Sequence, residues 1–173
     1  MICDGKDFAD SLSASPAKRP IFLVNNSLNK AQRDYLDTLR TRKYYLIGGT
    51  GALPTALEND IKTNFGSTIR LGGKDRYDTS VKVAEALFNS PSKAVLAYGR
   101  NYPDGLCGGT LAAYMDAPLL LVQDASAATI KGYTSSKEVK SGIVLGGPSL
   151  IADKSARSIF GLNETDEIYV VNK

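Results

Sequence analysis

Residues 95–122 read VLAYGRNYPDGLCGGTLAAYMDAPLLLV and contain the pattern that decides the fold. Two short apolar runs, 95–98 and 118–122, enclose a longer segment that starts at Asp104 and has the composition of a helix. Short β-type runs that alternate with helical segments are typical of β-α-β units, whose strands pair in parallel. The run 118–122 is apolar throughout, which indicates a strand buried on both faces.

The same pattern occurs earlier in the chain, so the sequence contains an internal repeat. Three pairs of segments recur: PIFLV at 20–24 and PLLLV at 118–122, LIGG at 46–49 and VLGG at 144–147, and Gly-x-x-x-x-Asp-x-Leu at 5–12 and 99–106. The first two pairs are 98 positions apart and the third is 94 positions apart. The second copy therefore has four additional residues, which we place in its helix between Leu106 and Ala117.

Both copies predict the same order of elements. The second copy is expected to have strands at 95–98, 118–122, 142–145 and 168–171 and helices at 104–115, 127–137 and 153–160. The first copy is expected to have strands at 21–24 and 44–47 and helices at 29–39 and 55–64. A helix at 79–88 and a turn at 89–92 mark the boundary between the copies.

The predicted fold is α/β: tandem repeats, each a mainly parallel sheet flanked by helices, in a Rossmann- or flavodoxin-like layering. The repeats are assigned to residues 1–90 and 91–173. Strands 21–24 and 118–122 are expected to be central and buried. The first copy is expected to lack its first strand. No flexible linker separates the copies, so we expect them to pack together.

Composition excludes several kinds of site. The 173 residues are 43% hydrophobic and 23% charged, as in ordinary globular proteins. Histidine is absent, which excludes Ser-His-Asp and Cys-His catalysis and the common zinc sites with an imidazole ligand. Cys3 and Cys107 are too few for a disulfide framework, and are expected to be small buried hydrophobes, with a single bridge as the alternative. We predict no catalytic residues, no metal site and no cofactor.

Charge and hydropathy limit the partners. No apolar run approaches the roughly 18 residues that span a bilayer, so no membrane partner is expected. Residues 1–15 lack the features of a signal peptide, and we expect any export signal to lie outside the chain. The net charge of +3 comes from scattered lysines and arginines, which favours an anionic partner only weakly and does not predict nucleic-acid binding.

Glycines and aspartates follow several of the predicted strands. The pairs Gly48-Gly49 and Gly146-Gly147 are interpreted as conformational, because neither has the spacing of a phosphate-binding loop. The carboxylates at positions 4, 7, 10, 75 and 78 lack the alternating ligands of a calcium loop, so helix capping explains them better than a metal. Asp10 and Asp104 are equivalent in the two copies and are expected to cap the helices that follow.

Residues 69–79, IRLGGKDRYDT, form the most specific run in the sequence. Its glycines predict a turn, and Asp78 or Thr79 is expected to cap the next helix. Arg70, Arg76 and Tyr77 would then stand at a helix entry. They fit either an ion-paired structural cluster or a surface that binds anions and sugars, because arginine binds phosphate or carboxylate and tyrosine stacks on sugar rings.

These features together resemble the cell wall-binding repeat of type 2, which occurs in tandem on surface proteins of Gram-positive bacteria. The resemblance rests on the two Gly-x-x-x-x-Asp-x-Leu segments, the Ala-Pro-hydrophobic strand at 117–122, the hydrophobic-Gly-Gly turns and the run 70–79. It covers nearly the whole chain. One departure is that the second copy ends at 169–173 without a counterpart of the Arg-Tyr run.

The resemblance implies noncovalent attachment of a secreted protein to anionic wall polysaccharide at the cell surface. Such repeats usually pack in threes around a pseudo-threefold axis, beside a catalytic or adhesive region. The partners implied are therefore the polysaccharide and other repeats of the same type, and a possible homo-oligomer follows from apolar surface left uncovered. The expected ligand-binding residues are Lys6, Arg70, Arg76, Tyr77 and Arg100. The alternatives are an accessory region of an amidase-like wall hydrolase and a protein-interaction module.

Overall fold

A computed structural model describes residues 1–39 and 42–166. The strands of the described part are β1 Ile2–Asp4, β2 Phe22–Val24, β3 Lys43–Ile47, β4 Ser67–Leu71, β5 Ala94–Tyr98, β6 Leu119–Val122 and β7 Gly142–Leu145. Its helices are α1 Ala9–Ala14, α2 Lys30–Thr38, α3 Thr55–Asn64, α4 Arg76–Leu87, α5 Pro103–Tyr114, α6 Ala127–Ser136 and α7 Asp153–Phe160. Within these limits no helix is long and apolar enough to cross a membrane.

Two parallel sheets divide the strands between the two copies. The first sheet has the order β2-β1-β3-β4 and the second has the order β6-β5-β7. Every pair of neighbouring strands is parallel, and helices flank both sheets. The predicted α/β class with tandem parallel sheets is therefore confirmed, and the order 2-1-3 is that of flavodoxin-like folds. The predicted strand at 168–171 lies outside the described residues.

Strand positions correct two of the predictions. The first copy does not lack its first strand, because Ile2–Asp4 pairs with both β2 and β3. Three residues that end in an aspartate are too few to show a strand pattern in the sequence. The strands predicted to be central, β2 and β6, are edge strands, and β1 and β5 lie inside. Leu23 of β2 is accordingly 53% exposed.

Strand β6 is buried although it lies at a sheet edge, because helices α1 and α4, which both precede it in the chain, pack against it. Helix α4 contributes Tyr77, Val81 and Ala84 to the core around β5 and β6. On its other side, Val83 joins the core beneath β1 and β3. Helix α4 thus belongs to both cores and holds the two sheets together.

Helix α4 begins three residues earlier than predicted, at Arg76. The cap is Asp75, whose carboxylate accepts hydrogen bonds from the backbone N–H groups of Tyr77 and Asp78 at 3.0 and 2.8 Å. Thr79 instead accepts a bond from the backbone N–H of Gly73 at 2.9 Å, which secures the preceding turn. The predicted caps, Asp78 and Thr79, therefore lie within the helix.

Helix α5 approaches the first copy through glycines. A Cβ atom on Gly105 would lie 2.6 Å from Leu12 Cδ1, and one on Gly109 would overlap Ser15. Because glycine has no side chain, the two helical segments can approach each other closely at these positions, and larger residues would prevent this approach. The copies therefore pack directly on each other.

The two cysteines have different environments. Cys3 is buried in β1, as expected, and burial raises the pKa of its thiol to about 12. Cys107 lies on the exposed side of α5, contrary to the expectation that both cysteines are buried. Both thiols are free, so the alternative of a bridge between them is wrong.

Candidate functional site

An open cleft of about 620 Å³ lies where the second sheet meets the start of α4. Its walls come from three segments: the first turn of α4, the loop after β5 and the residue after β6. The residues that line it are Asp75, Arg76, Tyr77, Arg100 and Gln123. Three of the five predicted ligand-binding residues are thus together at the carboxyl ends of parallel strands, where ligands of open α/β sheets bind.

Arg100 is the exposed cation of the cleft. Its Nε atom donates a hydrogen bond of 2.8 Å to Oε1 of Gln123, the residue that follows β6. Among residues 1–39 and 42–166, no carboxylate forms an ion pair with Arg100. Its positive charge is therefore oriented by a neutral group and remains available to an anion.

Lys6 is the equivalent residue in the first copy and has an equivalent arrangement. Its Nζ atom donates a hydrogen bond of 2.9 Å to Oδ1 of Asn26, in the loop after β2. No ion pair of Lys6 occurs in the described part of the chain either. The amides were missed in the sequence, although both stand within two residues of a predicted strand end.

Arg76 links the two repeats. Its guanidinium donates from Nη1 to the carbonyl oxygen of Gly99 and from Nη2 to Asp7, both at 2.9 Å. The same group lies 5.3 Å from the centre of the Phe8 ring, which is close enough for a cation–π contact. Asp7 offsets the charge of Arg76, so this residue builds the wall of the cleft and leaves less charge for a ligand.

Tyr77 lies mainly in the core. Only 7% of the residue is exposed, and its ring packs with the residues around β5 and β6. A Cβ atom on Gly99 would lie 2.5 Å from Tyr77 Cε1, so the ring fits only because position 99 is glycine. The expected stacking of this ring on a sugar is not supported by its burial.

Arg70 does not line the cleft. Its Nε atom donates to Glu58 Oε2 at 2.9 Å and its Nη1 atom donates to the carbonyl oxygen of Gly48 at 3.0 Å. Its Nη2 atom lies 2.9 Å from the same Glu58 oxygen but without hydrogen-bond geometry. Hydrogen bonds from Lys62, then Arg70 and Thr68, lower the pKa of Glu58 to about 2. The contacts of Arg70 are thus those of a structural ion pair.

Asp10 and Asp104 are equivalent, as predicted, but neither caps a helix. Each is the second residue of its helix and makes no capping hydrogen bond. A Cβ atom on Gly48 would overlap the Asp10 carboxylate, and one on Gly146 would lie 2.9 Å from Asp104 Oδ2. Gly48 and Gly146 have φ values of +122° and +103°, which supports the conformational interpretation of these glycines.

The environment of Asp10 disfavours its ionised form. Burial, with a smaller contribution from Asp7, raises the pKa of Asp10 from 3.8 to about 6. Asp10 lies where β1 and β3 are neighbours and their connections leave in opposite directions, the position of ligand crevices in such sheets. The carboxylate fills this position against Gly48. No cluster of acidic or cysteine side chains that could hold a metal occurs in the described ranges.

By its fold and candidate site, this is a protein of tandem parallel α/β repeats, and each repeat has an exposed cation at the carboxyl end of its sheet. The family described as cell wall binding domain 2 matches residues 2–58 and 70–156. The chain therefore belongs to the cell wall binding domain 2 family, as the sequence features predicted.

Two bacterial proteins and one solved structure show what the chain resembles. It is 31% identical over 162 residues to N-acetylmuramoyl-L-alanine amidase LytC of Bacillus subtilis, a match that covers 88% of the chain and 32% of the amidase. It is 26% identical over 157 residues to the amidase enhancer of the same organism, covering 88% of the chain and 21% of that protein.

Cwp6 from Clostridium difficile has the same fold, with a TM-score of 0.74 at 22% identity. That match covers 91% of the chain and 27% of Cwp6. The chain thus spans a third or less of each of these three proteins.

Proposed function

We propose that the chain anchors a secreted protein noncovalently to the cell wall by binding an anionic wall polysaccharide. The observation that carries the proposal is the exposed Arg100, which lines the cleft and has no carboxylate partner in the described part of the chain. Lys6 repeats the arrangement in the first copy. Membership of a cell wall binding family supports the location at the cell surface.

The five expected ligand-binding residues have different parts in this proposal. Arg100 and Lys6 contact the polymer, whereas Arg76 and Tyr77 shape the cleft and Arg70 stabilises β4 through Glu58. Exposed charge pairs are weak and are screened by salt, so useful attachment requires several repeats that act at once.

A pull-down on isolated Gram-positive cell walls tests the proposal. Binding is expected to fall as salt is raised and to be lost when the anionic polymers are extracted from the walls. The variant Lys6→Ala, Arg100→Ala should bind several-fold more weakly. The variant Lys93→Ala, Lys140→Ala removes the same charge near the amino ends of β5 and β7 and serves as control. Equal binding by both variants, or indifference to salt, would refute the proposal.

A second part of the proposal is that another repeat of the same type packs on α5. Leu12 of α1 is 6% exposed because α5 covers it, whereas Leu106, its equivalent in α5, is 64% exposed. Tyr114, further along the same helix, is 87% exposed. The apolar surface of α1 around Leu12 is thus covered by α5, whereas the equivalent surface of α5 around Leu106 is exposed. A further repeat would cover it.

The catalytic activity of the complete protein is a separate question. Similarity to an amidase and to an amidase enhancer favours the alternative that the chain is the accessory region of a wall hydrolase. The chain itself is proposed to have no catalytic role, and an amidase assay on purified walls tests this. Release of peptide from the glycan by the isolated chain would contradict it.

A further inference from the structure

Each repeat pairs one cation with one side-chain amide at the carboxyl end of its sheet. Arg100 donates to Gln123 at 2.8 Å, and Lys6 donates to Asn26 at 2.9 Å. In both repeats the cation follows the first strand and the amide follows the second, and these two strands are hydrogen-bonded neighbours. The loops of adjacent strands therefore build the same kind of unit twice.

The two amides are not at equivalent positions of the repeat. Asn25 aligns with Gln123, whereas the residue that contacts Lys6 is Asn26, one position further along. Asn26 has a φ of +56°, a left-handed conformation that asparagine tolerates. Gln123 is fixed differently, because its backbone N–H donates to Ser126 Oγ at 3.0 Å. The same contact thus arises from two local structures.

The direction of these hydrogen bonds decides what each unit offers to a ligand. Guanidinium and ammonium groups can only donate, so each amide must turn its oxygen toward the cation. The two N–H donors of the amide nitrogen are then left for a ligand. The donors of the cation that are not used in this hydrogen bond are left as well. Each unit is therefore a positively charged surface made of donors.

We propose that Gln123 and Asn26 determine ligand specificity: with Arg100 and Lys6 they form two sites, one per repeat, each of which binds one oxyanion of a polymer. The inference rests on the proposed function and deepens it. An oxyanion accepts hydrogen bonds from the cation and the amide together, whereas a neutral hydroxyl group brings no charge to match the site. The ligand is thus a polymer with regularly spaced phosphate or carboxylate groups, and neutral glycans are excluded.

The site in the second repeat is the stronger one. Nε of Arg100 is engaged by Gln123, which leaves the two terminal nitrogens of the planar guanidinium for a bidentate contact with an oxyanion. Lys6 offers a point charge without this geometry. Loss of the Gln123 site should therefore weaken binding more than loss of the Asn26 site.

Calorimetric titration with soluble polymers tests the inference on the whole chain at physiological ionic strength. The probes are poly(glycerol phosphate), polyglucuronate and neutral dextran. The variant Asn26→Asp, Gln123→Glu keeps the side-chain shapes but gives each cation a carboxylate partner. We expect its Kd for the anionic polymer to rise at least about tenfold.

A matched control separates local pairing from net charge. Asn59→Asp, Asn89→Asp makes the same change of charge at two exposed positions, one in α3 and one in the turn after α4. Its Kd should change by less than about twofold. Circular dichroism confirms that both variants are folded.

The results of these experiments distinguish failure of the inference from failure of the proposed function. Equal effects of the two double variants, dextran binding as tight as anionic binding, or wall binding without binding to either anionic polymer would overturn the inference. Failure of the wild-type chain to bind walls at all would overturn the proposed function instead. Binding of only one anionic polymer supports the inference and identifies the oxyanion as phosphate or carboxylate.

Discussion

Arg70, Arg76 and Arg100 carry the same charged group, and the structure gives each a different partner. Arg70 pairs with Glu58, Arg76 pairs with Asp7 and Arg100 is held by the amide of Gln123. An ion pair in the native state offsets the charge that a ligand would need, whereas an amide only orients it. The three residues are therefore distinguished by their partners rather than by their type.

Asp10 yields a prediction about pH. Its pKa is raised to about 6, so the folded state binds this proton more tightly than the unfolded state does. The contribution to stability is fully present below the unfolded pKa near 3.8 and is lost as the pH rises through about 6. Asp10→Asn should therefore raise the free energy of unfolding at pH 7.5, by on the order of 1–3 kcal/mol, and flatten its pH dependence between 4 and 6.

Urea unfolding of the wild type and Asp10→Asn at pH 4 and pH 7.5 measures this difference. Asp104→Asn is the matched variant at the equivalent position. The carboxylate of Asp104 is less closely packed on its glycine, because a Cβ atom on Gly146 would lie 2.9 Å from Asp104 Oδ2 whereas one on Gly48 would overlap Asp10 Oδ2. A loss of stability in Asp10→Asn at pH 7.5 would show that the carboxylate is favourable in its ionised form.

Among the elements, β1, β4 and α4 show where local sequence is insufficient. Helices α3 and α7 and strand β7 occur where the sequence predicted them, because their periodicity and end signals are local. The short strand β1 is stabilised by hydrogen bonds to β2 and β3, which are distant in sequence. Strand β4 was not predicted, because its sequence, STIRL, contains no apolar run. Helix α4 contributes side chains to the cores of both sheets, so the boundary between the repeats near residue 90 remains a proposal.

The packing of α5 on the first copy predicts an asymmetry between two glycines. Gly109 faces Ser15 across the contact between the copies, whereas Gly132 of α6 has no atom within 4 Å of an added Cβ. Valine changes helix propensity equally at both positions. Gly109→Val should lower the free energy of unfolding by about 1–3 kcal/mol through overpacking, and Gly132→Val should leave it within about 0.5 kcal/mol.

Chemical denaturation of the two variants measures the difference. Similar values for both would mean that α5 tolerates a bulky side chain at the contact, and that the copies are less closely packed than the structure shows. Wild-type protein measured at the same time supplies the reference for both variants.

For the molecule as a whole, the uncovered face of α5 predicts self-association. The exposed Leu106 is the equivalent of the buried Leu12, so chains should associate through this face at high concentration when no further repeat is present. Light scattering across a concentration series should show a rise in mean mass. Leu106→Gln should abolish this rise, because it makes the centre of the apolar face polar.

Leu23→Gln is the control, since Leu23 is also exposed but lies on β2 of the other sheet. It should associate as the wild type does. A wild-type chain that stays strictly monomeric, or a Leu23→Gln chain that loses association as well, would contradict the assignment of the face to α5.

The sequence by itself determined the repeat, the α/β class, most elements and the equivalence of Asp10 with Asp104 and of Lys6 with Arg100. These follow from apolar spacing and from segments compared along one chain, which are local properties. Only the tertiary structure decided which strands are central and which partner each arginine has. Asp7 and Arg76 are 69 positions apart, and Arg100 and Gln123 are 23 apart. Such pairs depend on how the sheets and helices pack, and this packing cannot be predicted from local sequence patterns.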